Sequence, residues 1–253
     1  MPPPSLLSFA EVLRTDLPGM ADRRTRAALR AVMLAFGPWI EVERAERIAL
    51  PGPAIFALNH SNSVEAVVVP SALMWLRRGE PVCFLADWMY LHLPVAGWLL
   101  RRGAVIPVYR KPSRWRLLEA HRRERSRAPV LDACLERLAA GASVGIFPEG
   151  TRNRDPERLL RGRSGLGELV LRSSVPVVPV GIHYPAAGRL GRSPRLGRTV
   201  LSPGEPLTFQ EERHAAHAAL GPRERIVLAR RVVRRVMADL ARLSGRPQIG
   251  GDP

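Results

Sequence analysis

Two short strings in the chain carry residue types suited to proton transfer and anion binding. The first is Asn59-His60-Ser61-Asn62-Ser63-Val64-Glu65, and the second is Phe147-Pro148-Glu149-Gly150-Thr151-Arg152. Each follows an apolar run that reads as a buried strand. Both therefore fall beyond strand carboxyl ends, where open α/β sheets gather their active sites. A histidine on a strand-to-helix turn, with a carboxylate shortly after it, fits a general base. The carboxylate would fix the imidazole tautomer and stabilise the imidazolium formed when the ring takes a proton. Asn62-x-x-Glu65 also fits a capping box, with Glu65 reaching back to a backbone N–H at the helix start. Glu149-Gly150-Thr151-Arg152, by itself, also fits an ordinary turn with a surface arginine.

Other chemistries find no support. His92, His121 and His183 have no carboxylate or cysteine at ligand spacing, and His214 and His217 lack a visible third ligand, so no metal is expected. Lys111, the only lysine, lies outside any P-loop string. Gly162-Arg163-Ser164-Gly165 is not a nucleophile elbow. Cys83 and Cys134 are too few and too far apart for a zinc quartet or a disulfide framework. They read as small core residues of a protein in a reducing, cytosolic compartment.

The elements that must position these strings alternate. Strands are expected over 53–58, 81–86, 104–108, 143–147 and 177–182. Helices are expected between them over 64–78, 113–127, 129–140 and 165–173. Continuous apolar strands alternating with helices predict an α/β fold with a mainly parallel central sheet flanked by helices. Residues 24–38 predict an N-terminal amphipathic helix and 222–244 a C-terminal helix with an Arg-rich outer face. The Gly-, Arg- and Pro-rich stretch 188–198 reads as an exposed loop, and 245–253 as a frayed tail. The expected organisation is a helical, membrane-associating segment over 1–45, a catalytic domain over 46–210, and a C-terminal helix with its tail over 211–253.

With 253 residues, 46% of them hydrophobic, the chain can bury a core and is not a disordered or collagen-like sequence. The net charge of +16 favours phosphate-bearing partners. Ten basic residues fall between Arg101 and Arg127, against only Glu119 and Glu124, and a second arginine cluster lies between Arg223 and Arg235. Each cluster also fits a solvated helix face. Stacking aromatics are nearly absent from both, so no nucleic-acid partner is expected. Trp115, Leu117 and Leu118 interrupt the first cluster in a way that suits a helix lying on an anionic bilayer. No run approaches the roughly 18 apolar residues of a membrane-spanning helix, and the Met-Pro-Pro-Pro start is unlike a secretion signal. The expected location is cytoplasmic, peripheral on the inner face of the cell membrane.

Taken together, the strings resemble the signature of the glycerolipid acyltransferases, whose best-known members are the 1-acylglycerol-3-phosphate O-acyltransferases. The first string is similar to that family's N-H-x-x-x-x-D motif, with Glu65 in place of Asp. The second matches its F-P-E-G-T-R motif letter for letter. Gly103-Ala104-Val105-Ile106-Pro107-Val108-Tyr109-Arg110 resembles the intermediate motif, an apolar strand ending in arginine. Val175-Pro176-Val177-Val178-Pro179-Val180 resembles the last motif. All four fall in the family order and span roughly residues 45–185. Asp87 stands where many relatives place lysine, and the basic residue often found beyond F-P-E-G-T-R corresponds to Arg163.

The resemblance implies transfer of a fatty acyl group from an acyl thioester to a hydroxyl of a lysophospholipid such as 1-acylglycerol-3-phosphate. The donor would be acyl-CoA or an acyl carrier protein, used as co-substrate, and no cofactor is implied. His60 would act as general base, oriented by Glu65. Arg152, Arg110 and Arg163 would bind the acceptor's phosphate, with Asn59, Glu149, Gly150 and Thr151 completing the substrate-binding set. In that set Gly150 admits close approach of the main chain, Thr151 bonds phosphate or caps its turn, and Glu149 organises the loop. The Glu65 and Asp87 departures keep two alternatives open. One is the same chemistry on a lyso-ornithine lipid, glycolipid or specialised metabolite; the other is a non-catalytic homologue that binds anionic membranes.

Overall fold

The computed structural model describes residues 5–6, 9–61, 65–92, 94–109, 112, 119, 129–155, 157–184, 198–218 and 221–249. The helix expected over 113–127, Arg110 and most of the loop over 188–198 lie outside the described residues.

Eight strands form one sheet: β1 (Ser5–Leu6), β2 (Ile40–Val42), β3 (Ile55–Leu58), β4 (Val82–Asp87), β5 (Ile106–Val108), β6 (Ser143–Ile146), β7 (Val177–His183) and β8 (Thr199–Pro203). Their order is β1-β2-β8-β7-β3-β6-β4-β5. Neighbours are parallel except β1 with β2 and β7 with β8. The helices are α1 (Phe9–Arg14), α2 (Arg23–Phe36), α3 (Glu65–Leu76), α4 (Pro94–Arg102), α5 (Val130–Ala139), α6 (Ser164–Arg172), α7 (Gln210–His217) and α8 (Pro222–Ser244).

Successive strand side chains point to opposite faces, and the central strand β3 divides accordingly. Phe56 and Leu58 pack with α2 and α3 in one core, whereas Ile55 and Ala57 join α5, α6 and α8 in the other. Burial on both sides explains why β3 reads as an unbroken apolar run. Helix α3 is apolar around most of its circumference and is correspondingly buried, from Val68 to Trp75. Helix α8 approaches α6 closely at Gly167, where a Cβ would stand 2.2 Å from the Ala229 carbonyl oxygen. Only glycine permits that contact.

The sequence reading needs correction at several places. The strand expected over 104–108 starts at Ile106, because Ala104 lies in a left-handed turn with φ 51°. Strands β1, β2 and β8 and helices α4 and α7 were not anticipated. β1 and β2 are too short to show a period, and α4 is a nine-residue helix with Gly97 inside it, where a Cβ would stand 2.2 Å from the Leu91 carbonyl oxygen. Residues 246–249 are not frayed: the Leu159 N–H donates to Pro247 O at 2.8 Å, and the Ile249 N–H donates to Leu159 O at 2.8 Å. These bonds are made by backbone alone, which leaves no mark in side-chain periodicity.

Candidate active site

The strings converge at the carboxyl edge of the sheet. His60 lies just past β3 and Glu65 opens α3. His60 Nδ1 stands 2.9 Å from Glu65 Oε2, with the histidine side chain 13% exposed and the carboxylate 1%. The same Oε2 accepts the Ser61 N–H at 2.8 Å, and Oε1 accepts the Tyr184 hydroxyl at 2.5 Å. Glu65 thus both reaches back to the Ser61 N–H and bonds the imidazole, while Asn62 lies outside the described residues. A buried carboxylate is costly unless hydrogen-bonded, and these three donors meet that need. Glu65 places its oxygens there despite having one methylene more than Asp.

With Nδ1 facing a carboxylate, the assigned tautomer carries its proton on Nδ1 and leaves the Nε2 lone pair as the basic site. The imidazole face is held by Phe147, whose ring stacks at a centroid distance of 4.2 Å and an angle of 21°. Phe147 in turn tilts against Phe84 at 5.5 Å.

Glu149 ties the two strings together. Its Oε1 accepts the His60 N–H at 3.0 Å and its Oε2 the Leu160 N–H at 2.9 Å. Burial pushes its pKa up, while the His60 and Leu160 N–H groups, the nearby His60 charge and the Asn153 side chain pull the other way. Each of its oxygens accepts a backbone N–H, so Glu149 braces the first string against the second. Asn59 is likewise held by backbone. It is fully buried, and its amide donates to Ile182 O at 2.9 Å while accepting the Ile182 N–H at 2.6 Å, so it splices β3 to β7.

Gly150 has φ +67°, the left-handed conformation that favours glycine. A Cβ there would stand 2.5 Å from Arg163 Cδ, so the arginine's hydrocarbon lies across the turn. Arg163 Nε donates to Glu149 O at 3.2 Å. Thr151 and Arg152 are exposed beside this turn. The Asn153 N–H donates to His60 O at 2.7 Å, which keeps Arg152 within one residue of the histidine segment. Arg110 lies outside the described residues. Asp87 caps the end of β4, its Oδ1 accepting the Met89 N–H at 3.1 Å. Among the described residues, no group of three His, Cys, Asp or Glu gathers to hold a metal ion.

Two contributors escaped sequence reasoning. Tyr184 follows the carboxyl end of β7, and its position at that edge was the available signal. Arg246, from the C-terminal tail, donates from Nη1 to Ser61 Oγ at 2.7 Å. Nothing in the sequence announces it.

Between α2, α3 and α4 the molecule is largely apolar. A narrow cavity of about 40 Å³ is lined by Ala28, Leu29, Ala66, Val67 and Phe84, among others. It begins at the residues that follow Glu65. It adjoins an outer groove of about 550 Å³ between α2 and α4, where Trp98 and Phe36 stand, and both share Ala28, Val32 and Leu99.

The sequence model of the acyltransferase family matches residues 39–183. A chloroplastic 1-acyl-sn-glycerol-3-phosphate acyltransferase of Brassica napus is 29% identical over 128 residues, covering 51% of this chain and 32% of that protein. Its Arabidopsis thaliana counterpart is 29% identical over 128 residues, with 51% and 31% covered. The match thus spans about a third of the length of these relatives. A crystal structure of the 1-acyl-sn-glycerophosphate acyltransferase of Thermotoga maritima superposes with a TM-score of 0.54 at 22% identity, covering 87% of this chain and 83% of that one. That likeness extends to the fold.

Proposed function

Because the chain belongs to the acyltransferase family, we propose that it moves a fatty acyl group from an acyl thioester to a hydroxyl of a lysophospholipid such as 1-acylglycerol-3-phosphate. The observation that carries this reading is the buried Glu65 carboxylate bonded to His60 Nδ1, which leaves Nε2 to act. Nε2 takes the acceptor's hydroxyl proton as the oxygen attacks the thioester carbonyl. The tetrahedral intermediate collapses with loss of the C–S bond, and the imidazolium returns the proton to the departing sulfur. The products are an ester and a free thiol. Glu65, held by Ser61 and Tyr184, stabilises the imidazolium between these steps. A thioester is already activated, so no serine or cysteine nucleophile is required. Arg152, within the second string, and Arg163, whose Nε donates to Glu149 O, would meet the acceptor's phosphate. The acyl chain would lie along the apolar cavity and groove, whose lining offers methylenes no competing polar partner.

The donor is acyl-CoA or an acyl carrier protein, and the acceptor comes from an anionic membrane surface. Among the described residues no helix is long and apolar enough to cross a membrane. Phe9, Leu13, Trp39 and Trp98 are nonetheless large apolar side chains left exposed, and Trp98 lines the groove together with Arg24. Co-sedimentation with anionic vesicles should weaken as salt is raised, since exposed charge is screened within about 8–10 Å. Equal binding to neutral vesicles would remove the electrostatic part.

The test of the activity is a labelled acyl thioester presented with lysophosphatidate and with lyso-ornithine lipid, the products read by lipid mass spectrometry. Phosphatidate formation by the native protein and its loss in His60→Ala is the expected result. A native protein inactive with every donor and acceptor, yet bound to anionic vesicles, would favour the non-catalytic reading.

A further inference from the structure

Helix α8 ends at Gly245, whose left-handed φ of +67° turns the chain back on itself. The residues beyond it run beside Leu159, in the loop that continues the second string, and are held there by backbone hydrogen bonds on either side of Gln248. Arg246 is thereby delivered across 185 positions of sequence to Ser61, the immediate neighbour of His60.

Arg246 commits little of its hydrogen-bonding capacity within the protein. Buried Arg77 donates to the carbonyls of Ile48, Leu50 and Gly52 and pairs with Glu80. Arg213 donates to the carbonyls of Val170, Ser174 and Val175. Arg102 pairs with Asp22. Arg246 is also partly buried, yet its side chain bonds only the neutral Ser61 hydroxyl. Among the described residues none brings a carboxylate within the 4.0 Å of an ion pair. A guanidinium has five donors in a planar fork, and no Arg246 nitrogen is a buried atom without a partner, so its uncommitted N–H groups stay accessible to a ligand. The Ser61 oxygen accepts from Arg246, so its own O–H is directed elsewhere.

We propose that Arg246 and the Ser61 hydroxyl form an anion subsite for a phosphate monoester of the substrate, beside the imidazole that takes the proton. The guanidinium meets two phosphate oxygens and the hydroxyl donates to a third. This rests on the acyl-transfer reading above. The phosphate belongs either to the acceptor's headgroup or to the donor's nucleotide, and kinetics separates the two.

The experiment uses the full-length protein with lysophosphatidate, with the corresponding monoacylglycerol, and with acyl-CoA varied in turn. Arg246→Gln should raise the KM for lysophosphatidate about tenfold or more, as expected for loss of a charge-assisted bond. It should leave kcat within about threefold and the KM for monoacylglycerol unchanged, and Arg246→Lys should restore part of the loss. A rise confined to the KM for acyl-CoA would place the same subsite on the donor. Ser61→Ala keeps the tail and the charge, and should shift the same KM by a smaller factor whether or not Arg246→Gln folds. Unchanged KM values for both substrates in a folded Arg246→Gln protein, or a fall in kcat alone, would overturn the inference while leaving the functional reading intact. An inactive native protein would instead overturn that reading.

Discussion

Two walls of the molecule, the polar cluster at His60 and the apolar cavity beside the first turn of α3, are built on opposite principles. On one, every polar group named has a fixed partner: Glu65 takes His60, Ser61 and Tyr184, and Glu149 takes the backbone of His60 and Leu160. On the other, formed by α2, α3 and α4, the cavity lining is mostly apolar, and its polar side chains, Thr25, Ser71 and Arg102, bond within the wall itself. The first wall can place an oxygen and a proton to within a fraction of an ångström. The second can only admit or exclude methylenes, each worth about 0.8 kcal/mol when removed from water. On the proposed function, chemistry and chain selection should then be separable, and substitutions on each wall should affect one and spare the other.

The largest effect expected on the polar wall is that of His60→Ala. Removing a general base costs between about 10² and 10⁴ in rate, and the loss should appear in kcat for every donor chain length alike. A loss that varies with chain length would break the separation, because it would make His60 part of chain recognition.

Next comes Tyr184→Phe, which deletes one donor to the buried Glu65 carboxylate. A hydrogen bond to a charged group contributes about 1.5–3 kcal/mol, so kcat should fall by roughly tenfold to a hundredfold with the KM for the donor unchanged. The pH profile of kcat should shift as well, since a less well held Glu65 changes the basicity of its histidine. An unchanged rate would show that Ser61 and His60 suffice to hold the carboxylate.

These two residues also show what the sequence made legible. His60 and Glu65 stand five apart on a turn between strand and helix, so local geometry alone brings them together. The sheet around them was readable because its central strands are buried on both faces and leave apolar runs. Tyr184 was missed although it lies at the same sheet edge, because a single tyrosine after a strand carries no spacing pattern. Asn59 enters the binding set through the family resemblance, and only the register of β3 against β7 shows that its amide bonds the Ile182 backbone. Arg246 depends on a backbone turn at Gly245 and on pairing with Leu159, neither of which has a side-chain signature. The apolar wall was illegible for a different reason. Ala28, Val32 and Leu99 look like any core residues, and only the packing of three helices makes them a cavity.

On that wall, Ala28→Phe should act through volume. Ala28 lines both the cavity and the groove, and a phenyl ring there would shorten the space. Overpacking costs about 1–3 kcal/mol, so a modest fall in thermal midpoint is expected. The kcat/KM for long-chain donors should drop severalfold relative to short ones, while the rate with the shortest donor stays close to native. A uniform loss across donors would mean that the acyl chain lies elsewhere.

The smallest effect tests the one polar lock on the apolar wall. Asp22 caps α2, accepting the Thr25 N–H at 2.8 Å and the Thr25 hydroxyl, and it pairs with Arg102 of α4 at 2.6 Å. Its pKa is pushed down to about 2, first by the Thr25 hydroxyl, then by the Thr25 N–H, with smaller help from the Arg24 N–H and the Arg102 charge. A carboxylate whose folded pKa lies below its unfolded value stabilises the fold when ionised in both states. That contribution is complete above the unfolded carboxylate range near pH 4 and is lost as pH falls toward about 2. The group is fully exposed, so the effect is small and sensitive to salt. Asp22→Ala should therefore melt slightly lower than the native protein near pH 6, with the gap closing as the pH is taken from 5 to 3. Because Asp22 joins the two helices that bound the groove, the same variant should relax discrimination among donor chain lengths without altering the dependence of kcat on His60. A gap that stays constant with pH would assign the cap to helix propensity alone, and unaltered chain discrimination would show that packing, with no polar lock, sets the width of the groove.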